Sequence, residues 1–128
     1  MVQAAAKSKV TGYRDLIVWQ KGVELAKAVY SLTHSLPPEE KFRLVSQIRR
    51  AAISIPSNVA EGQARKSTAE FIHFISNAEG SVAELDTQLA LCVELRLCNP
   101  ASAEIILELI AELKKMLNAL RRSLIRLR

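Results

Sequence analysis

The chain of 128 residues suits one domain, and it is long enough to bury a core without disulfides or a metal. Four glycines, four prolines and an aromatic content of 5% are typical of a helical protein rather than a strand-rich one. The formal net charge of +5 permits contact with nucleic acid or with an acidic membrane surface.

Signals for membranes and export are missing from the sequence. No segment approaches ~20 uninterrupted apolar residues, the length that a membrane-spanning helix needs. The start, MVQAAAKSKV, lacks the long apolar run of a signal peptide. With only two cysteines and no zinc-type spacing, the sequence predicts a cytoplasmic protein that does not enter membranes.

The first 14 residues predict a basic tail ahead of the folded domain. They contain Lys7, Lys9 and Arg14 and no acidic residue. We therefore expect a basic N-terminal tail over residues 1–14 and a helical domain over residues 15–128.

Helix one is predicted between Asp15, a candidate cap, and Pro37–Pro38, a pair that stops a helix. Apolar residues at steps of three and four define one helical face. The main apolar row consists of Leu16, Trp19, Val23, Ala26 and Tyr30. A second row beside it consists of Leu25, Val29 and Leu32.

Helix two is predicted to begin at Pro38, because the acidic residues that follow it suit the positive end of a helix. Its apolar row consists of Val45, Ile48, Ala52, Ile55 and Val59. Phe42, Ile53 and Ala60 lie outside that row, so the apolar arc exceeds the roughly 100° that one packed face needs. The excess favours a second buried contact through self-association; scattered surface hydrophobics are the alternative.

The opposite side of helix two carries a mixed polar stripe. It consists of Gln47, Arg50, Ser54, Asn58, Glu61 and Arg65. Pro56 lies in the same helix, where it leaves the carbonyl of Ala52 without its usual donor and costs about 3 kcal/mol. We expect Pro56 to set a bend that another helix, another subunit or a ligand requires.

Clear start signals predict helices three and four. Ser67–Glu70 has the form of a capping box, and Asn99–Pro100 combines a cap with a first-turn proline. The apolar row of helix three consists of Phe71, Phe74, Ala78, Val82, Leu85, Leu89 and Cys92. That of helix four consists of Ile106, Ile110, Leu113, Leu117, Leu120, Leu124 and Leu127. Short loops favour antiparallel neighbours, so the sequence predicts an all-α, antiparallel up-and-down four-helix bundle.

Enzymatic and metal chemistry find little support. The Glu70–His73 spacing occurs once, whereas di-iron bundles use two such motifs and two further glutamates. Cys92 and Cys98, six apart on one helix, should point in different directions and not pair. The sequence therefore predicts no catalytic residue, no metal site and no cofactor.

Two acidic residues beside the apolar row of helix three need partners. Paired carboxylates such as Glu79 and Asp86 can perform acid–base chemistry. We expect them instead to meet arginines across helices or subunits. The candidate arginines are Arg49, Arg50 and Arg65.

Three segments resemble the hallmark segments of one bacterial family. They are DLIVWQKGVELAKAVYSLT, QIRRAAISIPSNVAEGQAR and EFIHFISNAEGSVAELDTQL. The family comprises four-helix bundle proteins first noticed as reading frames in intervening sequences of the large-subunit ribosomal RNA gene. The resemblance spans about residues 13–98 and is most specific between Arg49 and Gly62.

The resemblance implies a ring-like homopentamer with a poorly defined biochemical function. The family is similar in fold to the accessory protein of diversity-generating retroelements, a pentamer that binds nucleic acid and a reverse transcriptase. The residues assigned to the family motif, for assembly or for a site, are Trp19, Ser54, Pro56, Asn58, Glu61, Gly62, Gly80 and Glu84.

The favoured function is binding of RNA or DNA through basic patches that a ring would repeat. Candidate binding residues are Arg49, Arg50, Arg65, Lys114, Lys115, Arg121, Arg122, Arg126 and Arg128. Scarce aromatics favour recognition of backbone and shape over base stacking. Two alternatives stay open: a solvated basic helix end that suits the macrodipole, and a protein scaffold such as an accessory subunit of a reverse transcriptase.

Overall fold

A computed structural model describes residues 11–127, apart from the side chains of residues 41 and 42. Over that range the chain forms no β-strand, and its four α-helices are α1 (Ile17–His34), α2 (Ser46–Gln63), α3 (Thr68–Glu94) and α4 (Pro100–Leu127). None of these four helices is both long enough and apolar enough to span a lipid bilayer.

Each helix packs against two neighbours around one core: α1 on α2, α2 on α3, α3 on α4, and α4 back on α1. All four contacts are antiparallel. For example, Glu79 and Asp86 of α3 lie beside Arg121 and Lys114 of α4 respectively, so one helix rises as the other descends. The predicted all-α, four-helix fold is therefore confirmed.

The start of α2 lies later than predicted. A 3₁₀ turn over Pro38–Glu40 and a short π-helix over Lys41–Val45 precede it, and the regular α-helix begins only at Ser46. The proline and acids thus begin a helical approach to α2 rather than α2 itself.

The predicted core rows of α2, α3 and α4 are buried over most of their length. Val45 just before α2, and Ile48 and Ile55 within it, are buried, as are Leu85 and the rest of the α3 row from Ala78 onward. The rows fade at one end of the bundle: Phe71 and Phe74 are partly buried, and Leu127 is 72% exposed.

The prediction for α1 is wrong in its choice of face. Leu25 and Val29 are fully buried, whereas Tyr30 of the supposed main row is 41% exposed. The cause lies at Gly22, which is buried and faces Pro56 of α2. Close approach of α2 at this glycine turns the Leu25 row inward and leaves the Trp19 row at the edge.

The predicted cap of α1 is also wrong. The Asp15 carboxylate accepts hydrogen bonds from the N–H and the hydroxyl of Thr11, at 2.9 and 2.7 Å, and caps no helix. These bonds, the hydroxyl bond first, lower the pKa of Asp15. The other two predicted caps are confirmed: Ser67 Oγ accepts from the Glu70 N–H at 3.1 Å, and Asn99 Oδ1 from the Ala101 N–H at 2.8 Å.

The end of α3 corrects the predicted orientation of the two cysteines, which are both free thiols. Arg96 adopts a left-handed conformation (φ 58°), and the Leu97 N–H donates to the Cys92 carbonyl at 2.8 Å. This Schellman turn reverses the chain and brings Cys98, which lies beyond the helix, next to Cys92. Burial, with the Cys98 thiol nearby, raises the pKa of Cys92 to about 11.

Candidate nucleic-acid interface

The centre of the α2 polar stripe faces α3 rather than solvent. Ser54 Oγ donates to the Ala51 carbonyl at 2.9 Å and shares a short hydrogen bond with Ser81 Oγ of α3. The Asn58 amide donates to the Ser54 carbonyl at 2.7 Å. Since these polar groups are satisfied inside the bundle, Ser54 and Asn58 support the fold.

A shallow polar notch of about 440 Å³ flanks this contact on the outside. Gln47 and Arg50 of α2 and Glu84 of α3 line it. Arg50 and Glu84 are both exposed, and neither forms an ion pair with any described residue. Arg50 therefore stays available to an outside anion.

Arg49 is held between α1 and α2. Its Nε donates to Thr33 Oγ1 at 2.8 Å, and the guanidinium carbon lies 4.4 Å from the centre of the Tyr30 ring. Both contacts fix the side chain against α1 through a hydrogen bond and a cation–π interaction. Arg49 thus links two helices rather than projecting into solvent.

The positive charge of Arg65 is already matched. Its guanidinium lies 2.8 Å from the Glu61 carboxylate and 3.9 Å from that of Glu70, and it stacks 4.8 Å from the Phe74 ring centre. Glu61 and Arg65, one helical turn apart, therefore form an ion pair within one chain. A phosphate at this arginine would have to compete with two carboxylates.

The presence of a glycine at position 62 of the family motif has a steric explanation. A Cβ atom there would lie 2.8 Å from Phe74 Cβ and 2.9 Å from Phe71 Cδ1. Any side chain larger than hydrogen would push α3 away from α2. Gly62 is therefore required for the close α2–α3 contact.

Pro56 serves the α1–α2 contact. It is buried, and its ring lies 3.3 Å from the position that a Cβ at Gly22 would take. The helix α2 continues without interruption from Ser46 through Pro56 to Gln63. The bend predicted at Pro56 stays a prediction.

An open apolar groove of about 700 Å³ separates the outer edges of α1 and α2; we call it the α1–α2 groove. Its lining consists of Tyr13, Trp19, Val23, Ala26, Lys27, Tyr30, Ile53, Pro56, Ser57 and Ala60. A second groove continues it past Tyr30 and Ile53 to Arg49 and Arg50. The excess apolar residues of the sequence, Ile53 and Ala60 among them, thus line one surface that sequence reasoning did not locate.

Two of the candidate cations on α4 are engaged by α3. Lys114 Nζ lies 2.8 Å from the Asp86 carboxylate, and Arg121 Nε lies 2.9 Å from that of Glu79. The expectation that these carboxylates meet Arg49, Arg50 or Arg65 is therefore wrong. A seven-residue spacing on each antiparallel helix places both pairs in register, which the sequence of α3 alone cannot show.

The remaining α4 cations project outward. Lys115, Arg122 and Arg126 are exposed, and their spacing of seven and four residues places them on one helical stripe. They form no ion pair among the described residues. At 1.5 Å per residue the stripe is roughly 16 Å long. Arg128 lies outside the described residues.

Arg122 and Arg126 lie in the last turns of α4 and share one end of the bundle with other cations. Because the helices alternate in direction, α1 begins, α2 ends, α3 begins and α4 ends at this end. We use the name basic end for the exposed residues Arg14, Lys66, Arg122 and Arg126, whereas Lys115 lies near the middle of α4. Arg14 lies over the Trp19 ring at 5.4 Å from its centre, so it connects the basic end with the groove.

No metal centre is formed in the described part of the chain, which holds no cluster of three or more His, Cys, Asp or Glu side chains suited to a metal ion. The Glu70 carboxylate, in the first turn of α3, accepts a hydrogen bond from the Ser67 hydroxyl at 3.1 Å and lies 3.9 Å from the Arg65 guanidinium. His73 is exposed and lies edge-on to Phe74.

The fold defines the class of this protein as a small four-helix bundle. Its candidate binding surfaces are the exposed cations and the apolar α1–α2 groove. The model of the 23S rRNA-intervening sequence protein family matches residues 14–119, and the chain belongs to this family. It is similar to a crystal structure of a protein of unknown function from the S23 ribosomal protein family of Bacteroides thetaiotaomicron. That similarity has a TM-score of 0.77 and 27% identity over 83% of this chain and 96% of the other. No curated protein matches the chain.

Proposed function

We propose that this protein is a non-enzymatic, cytoplasmic subunit of a homopentameric ring that binds RNA or DNA along the phosphate backbone. The observation that supports nucleic-acid binding most is the basic end, where exposed cations lie together without ion-pair partners among the described residues. Cations that are not already neutralised can replace the counterions condensed on a polyanion, which is the main source of such affinity.

The candidate cations of α4 differ in whether a carboxylate of the same chain already contacts them. Lys115, Arg122 and Arg126 contact no carboxylate within the described chain, and the two arginines present guanidinium forks suited to phosphate. Lys114 and Arg121 neutralise acids of α3. The proposal therefore assigns phosphate contacts to the former three, and a structural role to the latter two.

Recognition should follow backbone and shape rather than base identity. Tyr13 and Trp19 lie near the basic end, but their rings pack on each other at 5.4 Å between centres and line the groove. Few aromatic faces are therefore left for base stacking. A ring would present five copies of the basic end, and simultaneous contacts would multiply a modest affinity.

The test is equilibrium binding of structured RNA and duplex DNA over a series of salt concentrations, compared between two matched variants. The first variant is Arg122→Gln with Arg126→Gln; the second is Lys114→Gln with Arg121→Gln. Both remove two positive charges from the same helix. We expect the first to reduce the salt slope by about 0.7–0.9 for each lost phosphate contact.

The second variant should leave the salt slope close to that of the wild type. Equal losses in both variants would mean that net charge alone governs binding, and would overturn the assignment of the basic end. No binding by the wild type even at low salt would overturn the proposed function and leave the scaffold alternative, which the apolar groove favours.

A further inference from the structure

The outward face of α3 is unusual for a surface helix. Between residues 76 and 91, the only charged side chain at an exposed position is that of Glu84. The other exposed positions carry uncharged side chains, most of them small. The solvent face of a surface helix is normally rich in charged residues. We call the stripe formed by Gly80, Glu84, Thr87 and Leu91 the α3 stripe, since steps of four, three and four residues place them on one face.

Gly80 has no role inside its own chain. A Cβ at this position would meet nothing within 4 Å, in contrast to the Cβ positions at Gly62 and Gly22. A glycine inside an exposed helix is less stable than alanine, so its presence has no explanation within the described bundle. A small residue at such a position allows another backbone to approach closely.

The α1–α2 groove has the complementary shape. Tyr30 and Ile53, 41% and 45% exposed, are large apolar side chains at its edge. Large side chains on one helix pair pack well against small residues on a facing helix. Leu91 of the α3 stripe is 46% exposed and supplies an apolar side chain in return.

The charges of the two surfaces are also complementary. The groove and its continuation are lined by Lys27, Arg49 and Arg50 and by no acidic residue. From Ser67 to Leu95 the chain contains five acidic residues and no lysine or arginine. Three of these acids approach cations of the same chain, which leaves Glu84 and Glu94 without an ion pair among the described residues.

We infer that the α3 stripe of one copy docks in the α1–α2 groove of a second copy. This inference rests on the self-association in the proposed function, and does not depend on nucleic-acid binding. The two surfaces differ, so the contact is head-to-tail and leaves each copy with one free stripe and one free groove.

The test uses one variant on each surface and measures particle mass by light scattering after size exclusion. Ile53→Arg alters the groove, and Gly80→Arg alters the stripe; both positions are exposed, so the 14.2 kDa protomer should keep its fold. Ala111→Arg, which places the same bulk and charge on the exposed side of α4, is the control. We expect an assembled wild type and control, and a monomer for each surface variant.

Mixing the two surface variants separates this contact from a symmetric one. Each variant retains one intact surface, so an equimolar mixture should form a dimer of about twice the protomer mass and nothing larger. A wild type that is monomeric, a surface variant with wild-type mass, or a mixture that stays monomeric would overturn the inference. Should Gly80→Arg fail to fold by circular dichroism, Thr87→Arg probes the same stripe.

RNA binding by the same proteins keeps the two proposals distinct. Surface variants that are monomeric yet still bind RNA at low salt, with lower avidity, support the docking contact and the basic end together. An assembled wild type without RNA affinity removes the proposed function and leaves the docking contact intact.

Discussion

α2 makes a closed contact with α3 and an open one with α1. Towards α3 it presents Gly62, on which two phenylalanines rest, and Ser54, which is hydrogen-bonded to Ser81. Towards α1 the inner edge is packed at Gly22 and Pro56, but the outer edge diverges into a groove lined by Trp19 and Tyr30. The difference shows that a glycine in the contact sets helix distance only locally, whereas bulky partly exposed side chains keep the outer edges apart.

The largest effect is expected at the closed contact, for Gly62→Ala. A Cβ 2.8–2.9 Å from Phe74 and Phe71 must displace α3, so the free energy of unfolding should fall by about 2 kcal/mol. Urea unfolding followed by circular dichroism measures it. Within a single bundle the matched control is Gly80→Ala, where open space and helix propensity predict a gain of about 1 kcal/mol, so both variants are compared in the monomeric Ile53→Arg background.

The hydrogen bond across the closed contact comes next. Ser81→Ala removes the partner of the Ser54 hydroxyl and should lower the free energy of unfolding by about 1 kcal/mol. Ser54 keeps its bond to the Ala51 carbonyl, which limits the loss. The double variant with Ser54→Ala should be little worse than the single one, and fully additive losses would show that the pair is not coupled.

A smaller effect is expected at the open contact, for Gly22→Ala. The added Cβ would lie 3.3–3.5 Å from Pro56, so α2 must shift by only a few tenths of an ångström. The gain in helix propensity offsets most of this strain, which predicts a net loss of about 0.5 kcal/mol. Equal losses at Gly22 and Gly62 in the same urea titration would contradict the comparison.

At the far end of α3, the thiol of Cys92 tests whether the core stays closed. Burial raises its pKa from 9.0 to about 11, so the folded state holds this proton more tightly than the unfolded state. The resulting stability is fully present below pH 9 and is lost as the pH rises towards about 11. The difference in unfolding free energy between the wild type and Cys92→Ala should therefore be constant from pH 7 to 8.5 and shrink above pH 9. A constant difference up to pH 11 would show that water reaches this thiol.

The sequence predicts elements well where only one interpretation of the pattern exists. The row from Val45 to Val59 is confirmed as buried because the apolar residues beside it, Ile53 and Ala60, do not extend over the length of α2, and the opposite side carries the polar stripe. On α1 two apolar rows compete with the same period, and only contact with Pro56 selects Leu25 over Trp19. Periodicity gives the number of faces but not the neighbour that each face will meet.

Side-chain partners across helices were beyond prediction for a different reason. The pairing of Asp86 with Lys114 depends on the register of α3 against α4, which the turn between them sets. That turn relies on Arg96 in a conformation usual for glycine, so no sequence signal marks it. The same turn places Cys98 outside the helix, so the predicted orientation of the two cysteines, which assumed one continuous helix, was wrong.

The absence of lysine and arginine from α3 has a practical consequence for mapping this molecule. A protease that cleaves after basic residues will release Ser67–Arg96 as one uncut peptide, and Leu97–Lys114 as the next. The two thiols are adjacent in space but fall in different peptides: Cys92 lies in the first and Cys98 in the second. Mass spectrometry of alkylated protein can thus report separately on the interior of α3 and on the turn that follows it.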